Sequence, residues 1–258
     1  VERRKAEYGV VPVENSLEGA VTHTLDRFID FIDTPVKVHG EIEQPIRHFL
    51  ILHKEASLTD LRVVFSHPQA LAQCRQWLDE HLEHAVKIET HSTAEGVEHL
   101  LNEEPMSVHR GKESPYYGLD PQLEGITPSE RAAIARAELA KTKKLRAIPI
   151  SEGRDNKTRF LVLALGESRR NRRNKTSILF ALKDKPGALH DALVPFQRER
   201  INLTKIESRP SKRKAWEYLF FIDFEGHATE PRVQRALNAL QTSTSLLRVL
   251  GSYPMSLR

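Results

Sequence analysis

Uncharged hydrogen-bonding side chains stand where the chain is expected to turn in three places: Asn15 with Ser16, Ser66 with Gln73, and Thr158. Each adjoins a β-rich apolar run, so each is expected at a strand end, next to a helix start or a tight turn. In open α/β sheets ligands bind outside the carboxyl ends of the strands, where helix N-termini present unpaired N–H groups and a positive dipole end to an anion. Neutral donors in such a crevice suit a carboxylate ligand. The same residue types are also preferred helix N-caps, so Asn15, Ser16 and Ser66 taken singly read first as local punctuation, and a cap can also be a site. His23, His39, His48, His53 and His67 are scattered at no metal-ligand spacing, and neither a metal nor an organic cofactor is expected.

The elements that must position these residues follow from periodicity. Residues 8–14 (YGVVPVE), 36–44, 46–52, 62–66, 86–88, 145–150 and 158–165 read as strands. Asn15-Ser16 opens a stretch in which Leu17, Val21, Leu25, Phe28 and Ile32 recur at helical spacing, and the order reads as strand, tight turn, helix. Another follows Pro68, with Leu71, Cys74, Leu78 and Leu82 on one face. Ser92 with Glu95 has the spacing of a capping box. This alternation argues for an α/β fold with a mainly parallel sheet. Residues 102–129 carry prolines and glycines without periodicity and read as a long, partly mobile loop. Residues 131–142 read as helix on propensity, and 152–157 as a polar turn. The apolar-free run 166–175 (GESRRNRRNK) is the natural domain boundary. Beyond it the order strand 176–182, helix 187–200, strands 201–208 and 216–224, helix 230–240 and strand 246–250 is βαββαβ, the ferredoxin-like pattern. Such a small module is expected to hide its open sheet face by pairing with a copy of itself.

Length and composition fit this division. The 258 residues exceed a usual single domain of about 150 residues, and 39% hydrophobic with 29% charged residues is a globular balance. A net charge of +4 suits anionic partners in general. No run reaches the length of a membrane span. The only cysteine, Cys74, excludes an internal disulfide, from which a reducing, cytoplasmic setting is expected. Arg169, Arg170, Arg172, Arg173 and Lys175 lack interleaved aromatics and a recognition helix, so a solvated linker is expected rather than a nucleic-acid surface.

The segments VPVENSLEGAVTHTLD and SHPQALAQC and the triplet Thr158-Arg159-Phe160 resemble the signature blocks of the prephenate dehydratase family. Residues 176–254 resemble the ACT regulatory domain that follows it there, through Gly187-Ala188-Leu189-His190, Glu207-Ser208-Arg209-Pro210 and the closing Leu250-Gly251-Ser252-Tyr253-Pro254. The resemblance implies an α/β, two-lobed catalytic domain over 1–168, similar to type II periplasmic binding proteins, and a ferredoxin-like βαββαβ ACT domain over 176–258. It also implies a further strand and a serine-bearing helix start ahead of the segment matching residues 2–14, which this chain does not carry. The implied reaction is the decarboxylating dehydration of prephenate to phenylpyruvate, in phenylalanine biosynthesis and without a cofactor. Arogenate dehydration and a non-catalytic amino-acid sensor are the alternatives.

In the implied site Thr158, Asn15, Ser66 and Gln73 are catalytic, and Ser16, Arg159 and Phe160 bind substrate. Thr158 assists departure of the ring hydroxyl. Arg159, on the other face of its strand, either reaches a carboxylate or pins the strand through a salt bridge. Glu14 is expected to be a structural partner rather than a base. For residues 132–135 the family implies a strand, against the local helix propensity. In the ACT domain Gly187, Ala188, Leu189, His190, Asn202, Leu203, Glu207, Ser208, Arg209 and Pro210 are implied to bind L-phenylalanine as feedback effector, between domains of two subunits in a homodimer or tetramer. No nucleic-acid or membrane partner is expected.

Overall fold

The computed structural model describes residues 1–109, 114–141, 145–150, 156–183, 185–212 and 217–256. Its elements in chain order are β1 (Gly9–Asn15), β2 (Gly19–Ala20), α1 (Thr22–Asp30), β3 (Val36–Pro45), β4 (Phe49–His53), β5 (Val63–Ser66), α2 (Pro68–Gln73), α3 (Arg75–His81), β6 (Val86–Glu89) and α4 (Thr93–Leu101). There follow β7 (Arg131–Ala135), α5 (Glu138–Lys141), β8 (Leu145–Pro149), β9 (Lys157–Leu165), β10 (Asn174–Leu182), α6 (Ala188–Arg198), β11 (Leu203–Pro210), β12 (Tyr218–Glu225), α7 (Pro231–Ser243) and β13 (Thr244–Pro254). They form two compact units: Val1–Pro45 with Asp155–Arg258, and Ile46–Arg154. The cut differs from the one expected at residues 166–175, because the C-terminal module shares its core with the strands on either side of the inserted unit.

The first unit has two four-stranded sheets, ordered β2-β1-β9-β3 and β11-β12-β10-β13. The second order, with helices α6 and α7 after its first and third strands, is the expected ferredoxin-like arrangement. All pairings in both sheets are antiparallel, so the expectation of a mainly parallel sheet fails where Asn15 and Thr158 lie. Ile178, Phe180, Ile222 and Phe224 on one face of the module pack against Ala192, Phe196, Val233, Ala236 and Leu240 of α6 and α7. The other face, with Leu179, Ala181, Leu219, Phe221 and Tyr253, joins Val13, Leu25, Ile29, Val38 and Leu161 in one core. The module's open face is therefore covered by the sheet of its own chain and not by a second copy. Strand alternation serves both cores at once.

The contact is close at β13 and β3. A Cβ on Gly251 would overlap the carbonyl oxygen and amide nitrogen of Val38, so only glycine lets the two backbones approach there.

In the second unit the sheet runs β6-β5-β7-β4-β8, with β5 parallel to β6 and β7 and β4 antiparallel to its neighbours. Val64, Ala132 and Ile134 face Leu71, Cys74, Leu78 and Leu82. Val63, Phe65 and Ala133 face Val97, Leu100, Met106, Tyr116 and Ile126. Residues 131–135 form a strand buried at every position, where the helix propensity of an alanine-rich segment yields to burial between β5 and β4. The expected loop at 102–129 is packed rather than loose over its described part. The guanidinium of the fully buried Arg131 donates to the carbonyls of Asn102 at 2.9 Å and Ile126 at 2.8 Å and so ties the loop's two ends together. The helix after Asn15 starts only at Thr22, since a turn and the short strand β2 intervene. The helix after Pro68 breaks at Cys74, and most of the polar turn 152–157 lies outside the described residues.

Replacing Gly251 with alanine is expected to destabilise the first unit by about 1–3 kcal/mol, the usual cost of overpacking. Urea denaturation of parent and variant measures it, and equal midpoints would refute the close approach.

Candidate active site

The end of β1 and the start of β9 lie side by side, with Asn15 opposite Thr158 and Glu14 opposite Arg159. The Asn15 side chain is nine-tenths buried. Its Oδ1 accepts the backbone N–H groups of Leu17 at 2.9 Å and Glu18 at 3.1 Å, a turn built on its own side chain. Because two donors fix the oxygen, the NH2 end must point the other way. It donates to Asn156 Oδ1 at 2.9 Å and to Thr158 Oγ1 at 3.1 Å. A hydroxyl that accepts a hydrogen bond becomes a better donor, and its proton stays available for a third group. Ser16 closes the turn: its amide donates to the Lys157 carbonyl at 2.9 Å, and its Oγ accepts the Lys157 amide at 2.9 Å. The neutral cluster is thus the tight turn expected after the strand together with a strand pair, and the helix begins further on, at Thr22. Asn156 has no signal in the sequence; only the fold brings it to Asn15.

Arg159 turns to the opposite face of β9. Its Nε donates to Glu41 Oε2 at 2.7 Å, Nη1 to Asp223 Oδ2 at 2.6 Å and Nη2 to the Tyr253 hydroxyl at 3.1 Å. Glu41 accepts Lys175 Nζ at 2.7 Å as well, and Ser177 Oγ donates to Asp223 Oδ1 at 2.5 Å. Of the two expected roles the geometry is that of the pin, since three buried partners occupy the guanidinium and leave no fork for a substrate carboxylate. Lys175, expected in a solvated linker, is buried in the same cluster. Glu14 lies 3.5 Å from Arg159 and 3.3 Å from Lys205. Phe160 returns to the Thr158 side of the strand and is half-buried.

Burial pushes the Glu41 carboxyl up, but Arg159 and Lys175 pull it further down, below the ordinary carboxylate range. Burial also disfavours the Arg159 cation, but Asp223, Tyr253 and Glu41 together outweigh it, so the guanidinium stays charged. The Tyr253 phenol is pushed well up by burial and by Asp223, and remains neutral.

Ser66 and Gln73 belong to the second unit. Ser66 is fully buried and its Oγ donates to the Ile134 carbonyl at 2.7 Å, tying β5 to β7. The helix cap expected of Ser66 is instead His67, whose side chain accepts the Gln69 amide. Gln73 Oε1 pairs with His48 Nε2 at 2.7 Å, which gives one of the scattered histidines a specific partner. Among the described residues no three His, Cys, Asp or Glu side chains gather as a metal site.

Residues 1–168 match the family model for prephenate dehydratase, and residues 176–241 match that for the ACT domain. The chain belongs to the prephenate dehydratase family. It is 44% identical over 259 residues to a bifunctional chorismate mutase/prephenate dehydratase of Aquifex aeolicus, covering 100% of this chain and 64% of the relative. It is 34% identical over 252 residues to a prephenate dehydratase of Methanocaldococcus jannaschii, covering 96% and 81%. A crystal structure of prephenate dehydratase from Arthrobacter aurescens in complex with L-Phe matches with a TM-score of 0.78 at 33% identity, over 98% of this chain and 77% of that one. The chain thus spans under two thirds of the length of its bifunctional Aquifex relative.

In the ACT domain Gly187 stands at φ +76° immediately before α6, a left-handed conformation that glycine adopts at little cost. Leu189 and His190 after it are exposed. Along β11 burial alternates. Ile206, Ser208 and Pro210 point outward, while Lys205 reaches Glu14 and Arg209 reaches Asp26 of α1 at 3.0 Å. Arg209, implied as an effector ligand, is therefore engaged with the first lobe. Asn202 supports β12 by accepting the Glu225 amide through its carbonyl at 2.9 Å.

Because the Glu41 carboxyl titrates lower when folded, its stabilisation is present above the ordinary carboxylate range and is lost as pH falls through the folded value. Glu41→Gln is expected to cost about 3–5 kcal/mol near neutrality. The gap from the parent should narrow on acidification below about pH 5. Urea melts between pH 7 and 3 test this, and a gap that stays constant or widens would contradict the assignment.

Proposed function

We propose that this chain converts prephenate to phenylpyruvate. The observation that carries the reading is the hydrogen bond from the oriented Asn15 amide to the Thr158 hydroxyl. Prephenate dianion takes up one proton and releases carbon dioxide and water, leaving phenylpyruvate as a monoanion. The carboxylate electrons become ring electrons as the ring hydroxyl departs, so the group needing help is that hydroxyl. Thr158 donates to it, and Asn15 holds Thr158 in the donating orientation. A threonine is too weak an acid to protonate freely; an orienting amide in a site poor in water supplies the polarisation. Phe160, on the same strand face, and Ser16 contribute to substrate placement. Ser66 and Gln73 are the other residues we assign to the reaction; within the second unit Ser66 braces β5 against β7 and Gln73 pairs with His48.

The relatives' names support the reaction class, and the L-Phe complex of the Arthrobacter structure supports an amino-acid effector. In our reading residues 1–168 are the catalytic domain and 176–258 the regulatory one. L-phenylalanine binds between Gly187–His190 and Asn202, Leu203 and Glu207–Pro210 of paired subunits and inhibits by favouring a form of the site that holds prephenate poorly. The subunits pair as a homodimer through the module's exposed edge strand β11, and the enzyme works in the cytoplasm, in keeping with its single buried thiol.

Thr158→Ala is expected to lower kcat on prephenate by about 10²–10³-fold, the usual effect of removing one preorganised donor, while KM changes little. Steady-state rates on prephenate and on arogenate, for parent and variant, test reaction and ring substrate together. Near-parental turnover by the variant would remove Thr158 from the chemistry, and a parent faster on arogenate would reassign the substrate.

A further inference from the structure

The residues beside the two reacting-site side chains are themselves a register pair: Glu14 precedes Asn15, Arg159 follows Thr158, and the two face each other across β1 and β9. A bulge in β1 between Pro12 and Glu14 lets both Val13 and Glu14 face the ACT sheet. Val13 lies in the shared core, and Glu14 meets Arg159 and Lys205. Each of these flanking residues is held by the ACT domain. Asp223 on β12 takes Nη1 of Arg159 at 2.6 Å, and the hydroxyl of Tyr253 on β13 takes Nη2 at 3.1 Å. Lys205 on β11 takes Glu14 at 3.3 Å, and Ser177 on β10 braces Asp223 at 2.5 Å and Tyr253 at 2.7 Å. All four strands of the ACT sheet thereby converge on the backbone that carries Asn15 and Thr158. Within the first lobe Glu41 supplies the remaining anion. The residues Asn15 and Thr158 use on their own face are neutral, so the charged contacts can set their backbone without entering the reaction.

We propose that Asp223, Tyr253 and Lys205 are positioning residues for the reaction, fixing through Arg159 and Glu14 the separation and orientation of the Asn15 amide and the Thr158 hydroxyl. The proposal rests on the reading of that pair as the reacting site. It makes the ACT domain part of the catalytic scaffold, beyond its place as an effector-binding domain.

The test uses the full chain with Asp223→Asn, which keeps volume and removes charge, and Tyr253→Phe, which keeps the ring in the core and removes the hydroxyl. In folded protein, verified by a cooperative thermal melt, Asp223→Asn should lower kcat on prephenate about tenfold or more with KM within about twofold. Small displacements of reacting groups act on the chemical step in this way. Tyr253→Phe should show a smaller loss of the same kind. A merely structural role would lower the melting temperature and leave kcat unchanged. Amide hydrogen exchange at residues 158–161, measured against residues 178–181 of β10, gives an activity-independent readout, and selective loss of protection at 158–161 is expected in both variants. Should Asp223→Asn fail to fold, Tyr253→Phe decides. Folded variants with kcat within about twofold of the parent and unchanged exchange would overturn the proposal. A parent inactive on prephenate would instead refute the assigned reaction, and the exchange result alone would then judge the positioning.

Discussion

A guanidinium buried between two sheets is the constraint from which most of the first unit follows. Arg159 loses its hydration there, and a charge so placed must be matched by anions with good geometry. Glu41 and Asp223 supply them. Glu41 then needs Lys175, and the second oxygen of Asp223 needs Ser177. The two cations and two anions balance, and Glu14 with Lys205 adds a neutral pair at the rim. Breaking one member strands the others, which typically costs more than the intact cluster contributes over an apolar equivalent. What the cluster secures is register. A one-residue slip of β9 would send Arg159 to the site face and Thr158 into the core.

This segregation has an electrostatic consequence for the chemistry. Prephenate is doubly negative, and Glu14, Glu41 and Asp223 carry carboxylates on strands around its proposed site. Each is paired with a lysine or with Arg159, and all sit on the face away from Thr158. The site face is left with amide and hydroxyl groups, which can approach an anion without repelling it and can donate where negative charge collects on the departing oxygen. Placing the charges behind the sheet and the neutral donors in front follows from the two-residue period of a strand.

Much of this architecture was legible in the sequence, and the failures share a cause. The strands read at 36–44, 158–165 and 176–182, within a residue or two of β3, β9 and β10, and the βαββαβ order follow from apolar runs and turns that act locally. The segment Ala132–Ala135 carries the local signal of a helix, yet it is a strand because burial between β5 and β4 outweighs propensity. The tight turn after Asn15 is built on its own side chain, which takes the amides of Leu17 and Glu18, but the apolar spacing that begins at Leu17 hides the short strand β2 and a helix that starts only at Thr22. Lys175 reads as linker because every residue from Glu167 to Asn174 before it is charged or polar; its partner Glu41 lies far away in sequence. Thr158 could be singled out from its motif, whereas Asn156, Asp223 and the contact that Tyr253 of the closing motif makes with Arg159 could not, since a hydrogen-bond partner brought in by the tertiary fold leaves no periodic trace.

The alternation along β11 bears on how the proposed effector would act on a site it does not touch. Lys205 and Arg209 hold Glu14 and Asp26 of the first lobe, while Ile206, Ser208 and Pro210, which alternate with them, face outward. A ligand on the outer residues changes nothing at the lobe unless the strand itself moves, because side chains on opposite faces share only the backbone. Displacement of an edge strand is comparatively easy, since only β12 pairs with it. Any such shift carries Lys205 and Arg209 together, pulling on β1 beside Asn15 and on α1 at once. Two contacts on one rigid strand couple more tightly than either alone, for neither can relax without the other. An effector acting there needs no pathway of side chains through the core; it needs only to favour one position of a strand whose inner face is already fastened to the site.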